Sequence, residues 1–257
     1  MGMDDGRFLA GKLAVVTGGG RGIGWAVARA LAAEGARVAL LGRDEDELRA
    51  RAAELEGALA VRCDVSDEES VAAAFARVEE AAGEAYVLVN NAGQSAGVAF
   101  GETTRELWDR MLAVNLTGTF LCTQRALPAM LEAGAGRIVN VASTAGLRGY
   151  SHVAAYCAAK HGVVGLTRAL AAETAKRGVT VNAVCPGYTD TDMARGAVET
   201  LVRAGRSEED ARRSITRVLP IGRLIRPEEV ASAVAWLCSP AAAAVTGVAL
   251  PVAGGEV

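Results

Sequence analysis

The chain has 257 residues, 51% of them hydrophobic and 22% charged, and its 27 Lys plus Arg against 30 Asp plus Glu give a formal net charge of −3. This composition is typical of a folded globular chain and excludes an intrinsically disordered one. The near balance of charge, without basic runs interleaved with aromatic residues, argues against a nucleic-acid partner. No linker interrupts the chain, so we expect one domain spanning residues 1–257.

The cysteines and the apolar segments favour a cytoplasmic protein. The five cysteines lie far apart without a C-x-x-C spacing, and two histidines are too few for a histidine-based metal site, so we expect free thiols and no metal. The start "MGMDDGRFLAGK" has acids where a signal peptide needs bases, and Gly6 stands where a myristoylation signal needs Ser or Thr. The most apolar tract, residues 231–255, is interrupted by Pro240, Gly247 and Pro251 before it reaches membrane-spanning length.

Short β-branched runs alternate along the chain with alanine-rich helical tracts. The predicted strands are residues 13–17, 37–41, 58–63, 86–90, 137–142, 180–184 and 248–252. The predicted helices are residues 22–33, 44–56, 67–82, 104–132, 154–177 and 227–238. Apolar strands with helical crossovers predict an α/β fold, a doubly wound parallel sheet of seven strands with helices on both faces. Such sheets bind ligands outside the carboxyl ends of their strands.

The first predicted strand ends in the glycine-rich segment "TGGGRGIG", residues 17–24, and a helix begins inside it. Glycines at 18, 22 and 24 allow a tight turn and a close approach of the backbone to a pyrophosphate, which the helix N-terminus stabilises. The spacing is G-x-x-x-G-x-G and not the usual G-x-G-x-x-G. Taken alone, the segment is also compatible with a plain tight turn.

Small and polar residues follow three later strands of the predicted sheet. "NNAG" (residues 90–93) ends the fourth strand, "NVAS" (140–143) the fifth and "VCPG" (184–187) the sixth. Each one alone is compatible with ordinary turn chemistry. Their coincidence on one rim of the sheet favours a binding site there.

These segments resemble the short-chain dehydrogenase/reductase family over essentially the whole chain. The motifs that carry the resemblance are "TGGGRGIG", "CDV" (63–65), "NNAG", Asn115 in "VNLTGTF", Ser143, "YCAAK" (156–160) and "CPG". The resemblance implies a single Rossmann-like domain, a nicotinamide cofactor and a catalytic set of Asn115, Ser143, Tyr156 and Lys160. Within the family the chain looks most like ketoreductases of polyketide and fatty-acyl β-ketones, through "AAYCAAKHGVVGLTRAL", "TVNAVCPG" and "LPIGR".

Tyr156 and Lys160 are four residues apart on one predicted helix and therefore share a face. An ammonium within about 4–6 Å of a phenol favours the phenolate, so we expect Lys160 to lower the pKa of Tyr156 by about one to three units. On that expectation Tyr156 serves as acid and base near neutral pH. The alternative for the pair alone is an amphipathic phenol and a solvated base on a packed helix.

The resemblance also implies a role for each residue of the site. Tyr156 gives its proton to the carbonyl oxygen while Ser143 hydrogen-bonds that oxygen, Lys160 also holds the nicotinamide ribose, and Asn115 helps link the lysine to solvent. The implied cofactor-binding residues are Gly18, Arg21, Gly22, Ile23, Gly24, Arg43, Asp64, Val65, Asn91, Ala92, Gly93, Tyr156, Lys160, Pro186, Gly187 and Thr191. For Asp64 a local turn cap is the alternative.

The second predicted strand, "VALLGRD", bears on the choice of nicotinamide cofactor. Gly42 stands where NAD enzymes of this fold carry an acid for the ribose, and Arg43 and Arg21 are suited to a 2′-phosphate. Asp44 has the spacing of a ribose-binding acid but also fits an N-cap for the following helix, to which we assign it. We therefore expect NADP(H), with NAD(H) as the alternative.

The segment of about residues 188–225 is predicted to be a lid over the substrate, because it is too long and too polar for a turn. The candidate substrate residues are Gln94, Ser95, Leu147, Tyr150, Tyr188 and Met193, for each of which packing is the alternative. Residues 127–136 carry no Lys or Arg, which weakens docking of an acidic carrier protein. Small ketones and acyl thioesters remain open as substrates.

Alanine and glycine at 154, 155, 158, 159, 162 and 165 predict a close helix contact, which we interpret as a homo-oligomer interface, dimer or tetramer. Two other functions are compatible with the family resemblance. An NAD-dependent 3-hydroxyacyl-CoA or secondary-alcohol dehydrogenase runs the same chemistry with the other cofactor. A non-catalytic cofactor-binding regulator keeps the glycine loop, but this chain also keeps Ser143, Tyr156 and Lys160.

Overall fold

The chain forms seven parallel strands in one sheet with the order β3-β2-β1-β4-β5-β6-β7. The computed structural model describes residues 7–203 and 205–257. The strands are β1 (Leu13–Thr17), β2 (Arg37–Gly42), β3 (Leu59–Arg62), β4 (Ala85–Asn90), β5 (Gly136–Val141), β6 (Val179–Pro186) and β7 (Ala249–Val252). Residues 1–6, the first half of the "MGMDDGRFLAGK" segment, and residue 204 of the expected lid lie outside the described residues.

Nine helices lie in the described part of the chain. They are α1 (Gly22–Ala33), α2 (Glu45–Ala52), α3 (Glu68–Ala82), α4 (Arg105–Leu112), α5 (Gly118–Glu132), α6 (Ala154–Thr174), α7 (Asp192–Arg203), α8 (Glu208–Thr216) and α9 (Pro227–Cys238). None of these helices is long and apolar enough to cross a membrane.

The sheet is covered on both faces, which explains why its strands are apolar at nearly every position. On β1, Ala14 and Val16 pack into a core shared with α1 and α9, whereas Leu13 and Val15 pack into a second core with α3 and α5. Successive side chains of a strand point to opposite faces, so both faces need apolar residues. The predicted doubly wound sheet of seven strands is confirmed.

The observed elements differ from the predicted ones mainly around the expected lid. Strand ends agree within two residues, but the predicted helix 104–132 contains a π-helical turn at Ala113–Thr117. The connection after β6 was predicted without secondary structure and instead contains α7 and α8. The α7 segment has apolar residues at 194, 197, 198 and 201, the spacing of an amphipathic helix, but only Ala194 is buried.

The strand order reverses between β1 and β4, since β2 and β3 lie on one side of β1 and β5 to β7 on the other. The crevice outside the carboxyl ends of strands at such a point is where open α/β sheets bind ligands. Thr17 ends β1 and Asn90 ends β4, so the glycine loop and the "NNAG" segment leave the sheet side by side.

Candidate active site

The glycine loop after β1 leaves no room for side chains where it meets the end of β4. Gly18 has φ +63°, a backbone conformation that side chains disfavour. A Cβ on Gly24 would lie 2.1 Å from the Gly18 carbonyl oxygen and 2.4 Å from Asn91 Nδ2. The loop therefore requires glycine at position 24 and presents its own backbone at the rim of the sheet.

Helix α1 begins inside this loop with its first N–H groups uncapped by a side chain. Arg21 occupies the N-cap and its side chain accepts no hydrogen bond from the helix. The N–H groups of the first turn, at Gly22 and Ile23, and the helix dipole favour an anion such as a pyrophosphate. Thr191 lies against the same turn, because its methyl group is 3.1 Å from the position of a Cβ on Gly22.

Hydrogen bonds between the ends of β1 and β4 hold the loop and the "NNAG" segment together. The Thr17 hydroxyl oxygen accepts from the backbone N–H groups of Asn91 and Ala92, both at 3.0 Å. Asn91 Nδ2 donates in return to the carbonyl oxygens of Thr17 (2.9 Å) and Gly18 (3.1 Å). Asn91 thus positions the loop. The role of Thr17 could have been predicted only from its position at the end of a strand.

Ser143 and Tyr156 meet at the carboxyl end of β5. Ser143 is the second residue after β5, and its hydroxyl oxygen accepts from the Ala145 N–H at 3.1 Å. The Ser143 side chain lies next to the Tyr156 phenol and favours its ionised form. Burial is the larger effect and raises the pKa of Tyr156 to about 12. The phenol is therefore neutral at physiological pH and ready to donate a proton.

Lys160 shares a helix face with Tyr156, but the pKa of the phenol still lies above its usual value. Its Nζ donates to the Val141 carbonyl oxygen at 2.8 Å and lies 5.7 Å from the centre of the Tyr156 ring. Lys160 is only 4% exposed, and burial lowers its own pKa to about 8. The expectation of a lowered pKa for Tyr156 was wrong, because burial outweighs the charge of an ammonium that faces a backbone carbonyl and the ring.

Asn115 is fully buried in the π-helical turn between α4 and α5. Its Nδ2 donates to the carbonyl oxygens of Gln94 and Met111, both at 2.9 Å, and its Oδ1 accepts from the Gln94 N–H at 3.2 Å. A Cβ on Gly93 would lie 2.8 Å from Asn115 Oδ1 and 3.6 Å from Lys160 Nζ. Asn115 therefore fixes the segment after "NNAG" beside the lysine, and π-helical turns of this kind are frequent at functional sites.

Arg43, Asp44 and Glu47 follow β2, and a Glu47 carboxylate oxygen lies 3.2 Å from the position of a Cβ on Gly20 in the glycine loop. Asp44 is the N-cap of α2 and accepts from the Glu47 N–H at 3.1 Å, which confirms its assignment to the helix start. Arg43 is exposed, and Arg21 is exposed with Asp192 at 3.8 Å. Cationic side chains thus remain accessible at the position where an adenosine ribose would lie in this fold.

The "CDV" segment after β3 is engaged in a local turn. The Asp64 carboxylate accepts from the Ser66 hydroxyl at 2.6 Å and from the Ser66 N–H at 3.0 Å, and these bonds hold the pKa of Asp64 below its usual value. The side chain of Val65 is buried against Gly118, where a Cβ would lie 2.8 Å from Val65 Cγ2. The turn-cap alternative for Asp64 therefore describes its contacts in this structure.

A carboxylate that the sequence did not single out closes the rim after β6, which ends at Pro186. Glu256 is 9% exposed, its Oε2 has no hydrogen-bond partner among the described residues, and a Cβ on Gly187 would lie 2.9 Å from that oxygen. The Tyr150 hydroxyl donates to the Glu256 carboxylate and lies 2.8 Å from the Thr144 hydroxyl oxygen. The tail "AGGEV" has neither periodicity nor a motif that would have predicted this contact.

The six candidate substrate residues occupy three loops around this rim. Gln94 and Ser95 follow "NNAG", Leu147 and Tyr150 follow the turn after Ser143, and Tyr188 and Met193 begin the segment after β6. Met193 is 48% exposed, whereas Leu147, Tyr150 and Tyr188 are half-buried. Burial is the first cause that raises the pKa of both Tyr150 and Tyr188, so both phenols are neutral at physiological pH.

All five cysteines are buried free thiols, as predicted. Cys185 lies next to the site at the end of β6, and burial raises its pKa to about 11. A thiol in that state is a poor nucleophile at neutral pH.

A family model described as enoyl-(acyl carrier protein) reductase matches residues 18–256, which is nearly all of the chain. The chain belongs to the short-chain dehydrogenase/reductase family. The predicted Rossmann-like oxidoreductase of this family is thereby confirmed.

Relatives within the short-chain dehydrogenase/reductase family cover the chain almost end to end. A provisionally named ketoacyl reductase of Streptomyces coelicolor is 47% identical over 95% of this chain and 96% of its own length. An acetoacetyl-CoA reductase of Rhizobium meliloti is 42% identical over 95% of this chain and 98% of its own. A crystal structure of a variant actinorhodin polyketide ketoreductase with NADPH has a TM-score of 0.92 and 47% identity, covering 95% of this chain and 97% of that one.

Proposed function

We propose that this chain is an NADPH-dependent ketoreductase that reduces a β-keto group of polyketide or fatty-acyl type. The observation that carries the proposal is the adjacent pair Ser143 and Tyr156, with the buried Lys160 ammonium 5.7 Å from the centre of the phenol ring. These three groups lie at the same rim as the glycine loop. They supply a proton donor, an oxyanion partner and a positive charge for reduction of a carbonyl group.

The described residues fit a dinucleotide. The close contact of Gly24 with the Gly18 carbonyl leaves a backbone surface without side chains, and α1 presents uncapped N–H groups beside it. The residues that would hold the cofactor are Gly18, Arg21, Gly22, Ile23, Gly24, Arg43, Asp64, Val65, Asn91, Ala92, Gly93, Tyr156, Lys160, Pro186, Gly187 and Thr191. When bound, the reduced nicotinamide supplies the hydride to the carbonyl carbon.

The proton side of the reaction belongs to the chain itself. Ser143 hydrogen-bonds the carbonyl oxygen as negative charge develops there, and Tyr156 gives that oxygen the proton of its neutral phenol. The Lys160 ammonium then stabilises the phenolate. Asn115 holds residues 93–94 beside Lys160, and we assign it the positioning of the path by which the lysine regains its proton from solvent.

The preference for NADPH rests on charge at the end of β2. Arg21 and Arg43 are both exposed there, and Asp44, the acid closest in sequence, is used as a helix cap. Arginine recognises phosphate in a bidentate, charge-assisted manner, whereas a ribose hydroxyl calls for a carboxylate. The NADPH named in the polyketide ketoreductase structure supports the same choice.

The substrate class rests on the names of the relatives and on the form of the site. Ketoacyl and acetoacetyl groups carry a ketone β to a thioester, and both are named among proteins more than 40% identical to this chain. Gln94, Ser95, Leu147, Tyr150, Tyr188 and Met193 surround the rim as candidate contacts, and we assign residues 188–225 the role of a lid. The absence of Lys and Arg in residues 127–136 favours a CoA-bound or free ketone over a carrier-bound one.

We assign the protein to the cytoplasm as a homo-oligomer. Five free thiols support a reducing compartment. On α6, Ala158 and Gly165 are exposed and offer a helix surface that another helix can approach closely.

The test is consumption of reduced nicotinamide followed by absorbance, with NADPH and NADH each offered acetoacetyl-CoA, a cyclic ketone and crotonyl-CoA. We expect turnover of the ketones with at least tenfold preference for NADPH in kcat/KM, and loss of turnover in Tyr156→Phe. Tyr86→Phe, at the opposite end of the sheet, is the matched control and should keep full activity.

Each other result assigns a different function. Preference for NAD+ with 3-hydroxybutyryl-CoA identifies an NAD-dependent dehydrogenase, and turnover of crotonyl-CoA alone identifies an enoyl reductase. Binding of NADPH without turnover of any of these compounds, or an unchanged rate in Tyr156→Phe, favours the regulator and contradicts the proposal.

A further inference from the structure

A cavity of about 370 Å³ lies at the opposite end of the sheet from the glycine loop. It is lined by Arg137 and Thr180, which are the second residues of β5 and β6, and by small residues that include Gly178 and Ala243. Arg137 precedes Ser143 by six residues, so the two ends of β5 are separated by roughly 20 Å. The cavity is therefore distinct from the site described above.

Arg137 is a buried charge without a counter-ion in the described part of the chain. The residue is 9% exposed, its Nη1 donates to the Gly136 carbonyl oxygen at 2.8 Å, and its Nε has no hydrogen-bond partner. No carboxylate lines the cavity, and Arg137 forms no ion pair with any residue from 7 to 203 or from 205 to 257. A guanidinium keeps its charge in a protein, so its burial is costly unless an anion accompanies it.

The aromatic ring beside Arg137 compensates for only part of this charge. The guanidinium carbon lies 5.7 Å from the centre of the Tyr86 ring, and Lys12 Nζ lies 4.9 Å from the same ring. A single aromatic ring that interacts with two cations stabilises each of them less than a carboxylate would. The local charge at this end of the sheet is therefore positive.

Thr180 supplies a second polar group that lacks a partner. Its side chain is 7% exposed and its hydroxyl oxygen forms no hydrogen bond with the described residues. Arg137 and Thr180 are register partners on adjacent strands, so their side chains leave the same face of the sheet. Buried polar groups are almost always paired, and two unpaired ones in one cavity indicate a missing ligand.

We propose that this cavity binds a small oxyanion, a phosphate or a carboxylate head group, through Arg137 and Thr180. Nη1 donates to the Gly136 carbonyl oxygen, so the other guanidinium N–H groups are left for the oxyanion. Nε and the Thr180 hydroxyl oxygen are covered in this structure, so both side chains turn toward the cavity when the ligand binds and then donate to it. The alanine and glycine walls leave room for the non-ionic part of a small metabolite.

The test is thermal unfolding of the full chain at constant ionic strength, with chloride replaced by inorganic phosphate or by acetate. A ligand that binds only the folded state raises the unfolding midpoint in proportion to the logarithm of its concentration above its Kd. We expect such a rise in the parent with at least one of the two anions, and the active anion distinguishes a phosphate from a carboxylate ligand. We expect the rise in the unfolding midpoint to be absent in Arg137→Met and smaller in Thr180→Val.

Two further variants make the result specific to the cavity. Arg177→Met removes an exposed arginine nearby and should respond as the parent does. Tyr86→Asp places a carboxylate beside Arg137, so it should abolish the response to added anion while ketone reduction stays at the parental rate.

Three results would overturn the proposal. The parent fails to respond to either anion, or Arg137→Met responds as strongly as the parent, which places the anion at the cofactor site. In the third, Arg137→Met lowers the mass measured by light scattering, which identifies the counter-ion as a carboxylate of a second copy of the chain.

Discussion

At the scale of single residues, burial sets the protonation states of Tyr156 and Lys160, the proposed catalytic pair. Burial raises the pKa of the phenol to about 12 and lowers that of the ammonium to about 8. Between pH 6 and 8 the site therefore holds a neutral phenol and, in most molecules, a charged lysine. That combination is suited to giving a proton to a ketone and not to taking one from an alcohol.

The pH dependence of ketone reduction follows from these two values. We expect kcat/KM to be constant below about pH 8 and to fall about tenfold per pH unit above it, because Lys160 loses the charge that stabilises the Tyr156 phenolate. Alcohol oxidation should instead increase with pH, since it needs the phenolate. Initial rates in both directions from pH 6 to 10 measure this, and a reduction rate that rises between pH 8 and 10 would contradict it.

Arg43, after β2, and Arg21, at the start of α1, are expected to have separable effects on cofactor choice. Arg43→Gln and Arg21→Gln should each raise the KM for NADPH by about 10- to 100-fold, the equivalent of about 1.5–3 kcal/mol for a hydrogen bond to a charged group, and should leave NADH unchanged. Asp44→Ala is the control. It removes only the cap of α2, so it should lower the free energy of unfolding by about 0.5–2 kcal/mol without changing the NADPH to NADH ratio.

At the scale of elements, the close contact between α1 and the end of β4 explains the glycine at position 24. Gly24→Ala should weaken NADPH binding and lower the free energy of unfolding by at least about 1–3 kcal/mol, because its Cβ would overlap the Gly18 carbonyl. Gly196→Ala, in the middle of α7 with no atom within 4 Å of the added Cβ, should instead be stabilising by about 0.5–1 kcal/mol. Fluorescence titration with NADPH and urea unfolding measure both. Equal changes in NADPH binding and in the free energy of unfolding in the two variants would contradict this prediction.

The C-terminal tail is attached to the loop after β5 by Tyr150 and Glu256. Tyr150→Phe leaves a buried carboxylate without this donor, so we expect the free energy of unfolding to fall by about 1.5–3 kcal/mol in urea. Tyr188→Phe is the matched control, because no hydrogen bond from the Tyr188 hydroxyl is present among the described residues. A Tyr150→Phe variant as stable as Tyr188→Phe would show that the contact contributes nothing.

The sequence predicts elements best where burial is uniform. Strands β1 to β7 were predicted within two residues of their ends because a sheet covered on both faces needs an unbroken apolar run. Helices α7 and α8 were missed because the polar residues around them favoured one long connection. The apolar residues at 194, 197, 198 and 201 have helical spacing and could have predicted α7.

The site was predictable where chemistry depends on spacing along one element. Tyr156 and Lys160 share a face because they are four residues apart, and Ser143 was placed by the end of β5. The raised pKa of Tyr156, the π-helical turn around Asn115 and the contact of Glu256 were not predictable. Each depends on packing between segments far apart in the chain.

At the scale of the whole molecule, part of the small-residue face of α6 packs against another segment of the same chain. A Cβ on Gly162 would lie 2.7 Å from Leu116, so part of the predicted interface is the contact between α6 and the π-helical turn. Gly165 is exposed with no atom within 4 Å of an added Cβ, and it remains available to another copy of the chain.

Light scattering after size exclusion tests assembly through this face. We expect a mass that is a multiple of 26.4 kDa for the parent and a smaller mass for Gly165→Gln, because a side chain there prevents close approach of two helices. Gly196→Gln, which is equally unobstructed in one chain, should keep the parental mass. A parent that elutes at 26.4 kDa contradicts the predicted oligomer.

The most direct test of Tyr156 as the proton donor is a single-turnover measurement of NADPH oxidation by acetoacetyl-CoA in the parent, Tyr156→Phe and Tyr86→Phe. We predict that Tyr156→Phe slows the hydride step at saturating NADPH by about 10²- to 10⁴-fold, the contribution of a positioned general acid. Tyr86→Phe should react as the parent does. A Tyr156→Phe rate within about threefold of the parent would show that another group gives the proton, and the catalytic assignment of Ser143, Tyr156 and Lys160 would then be wrong.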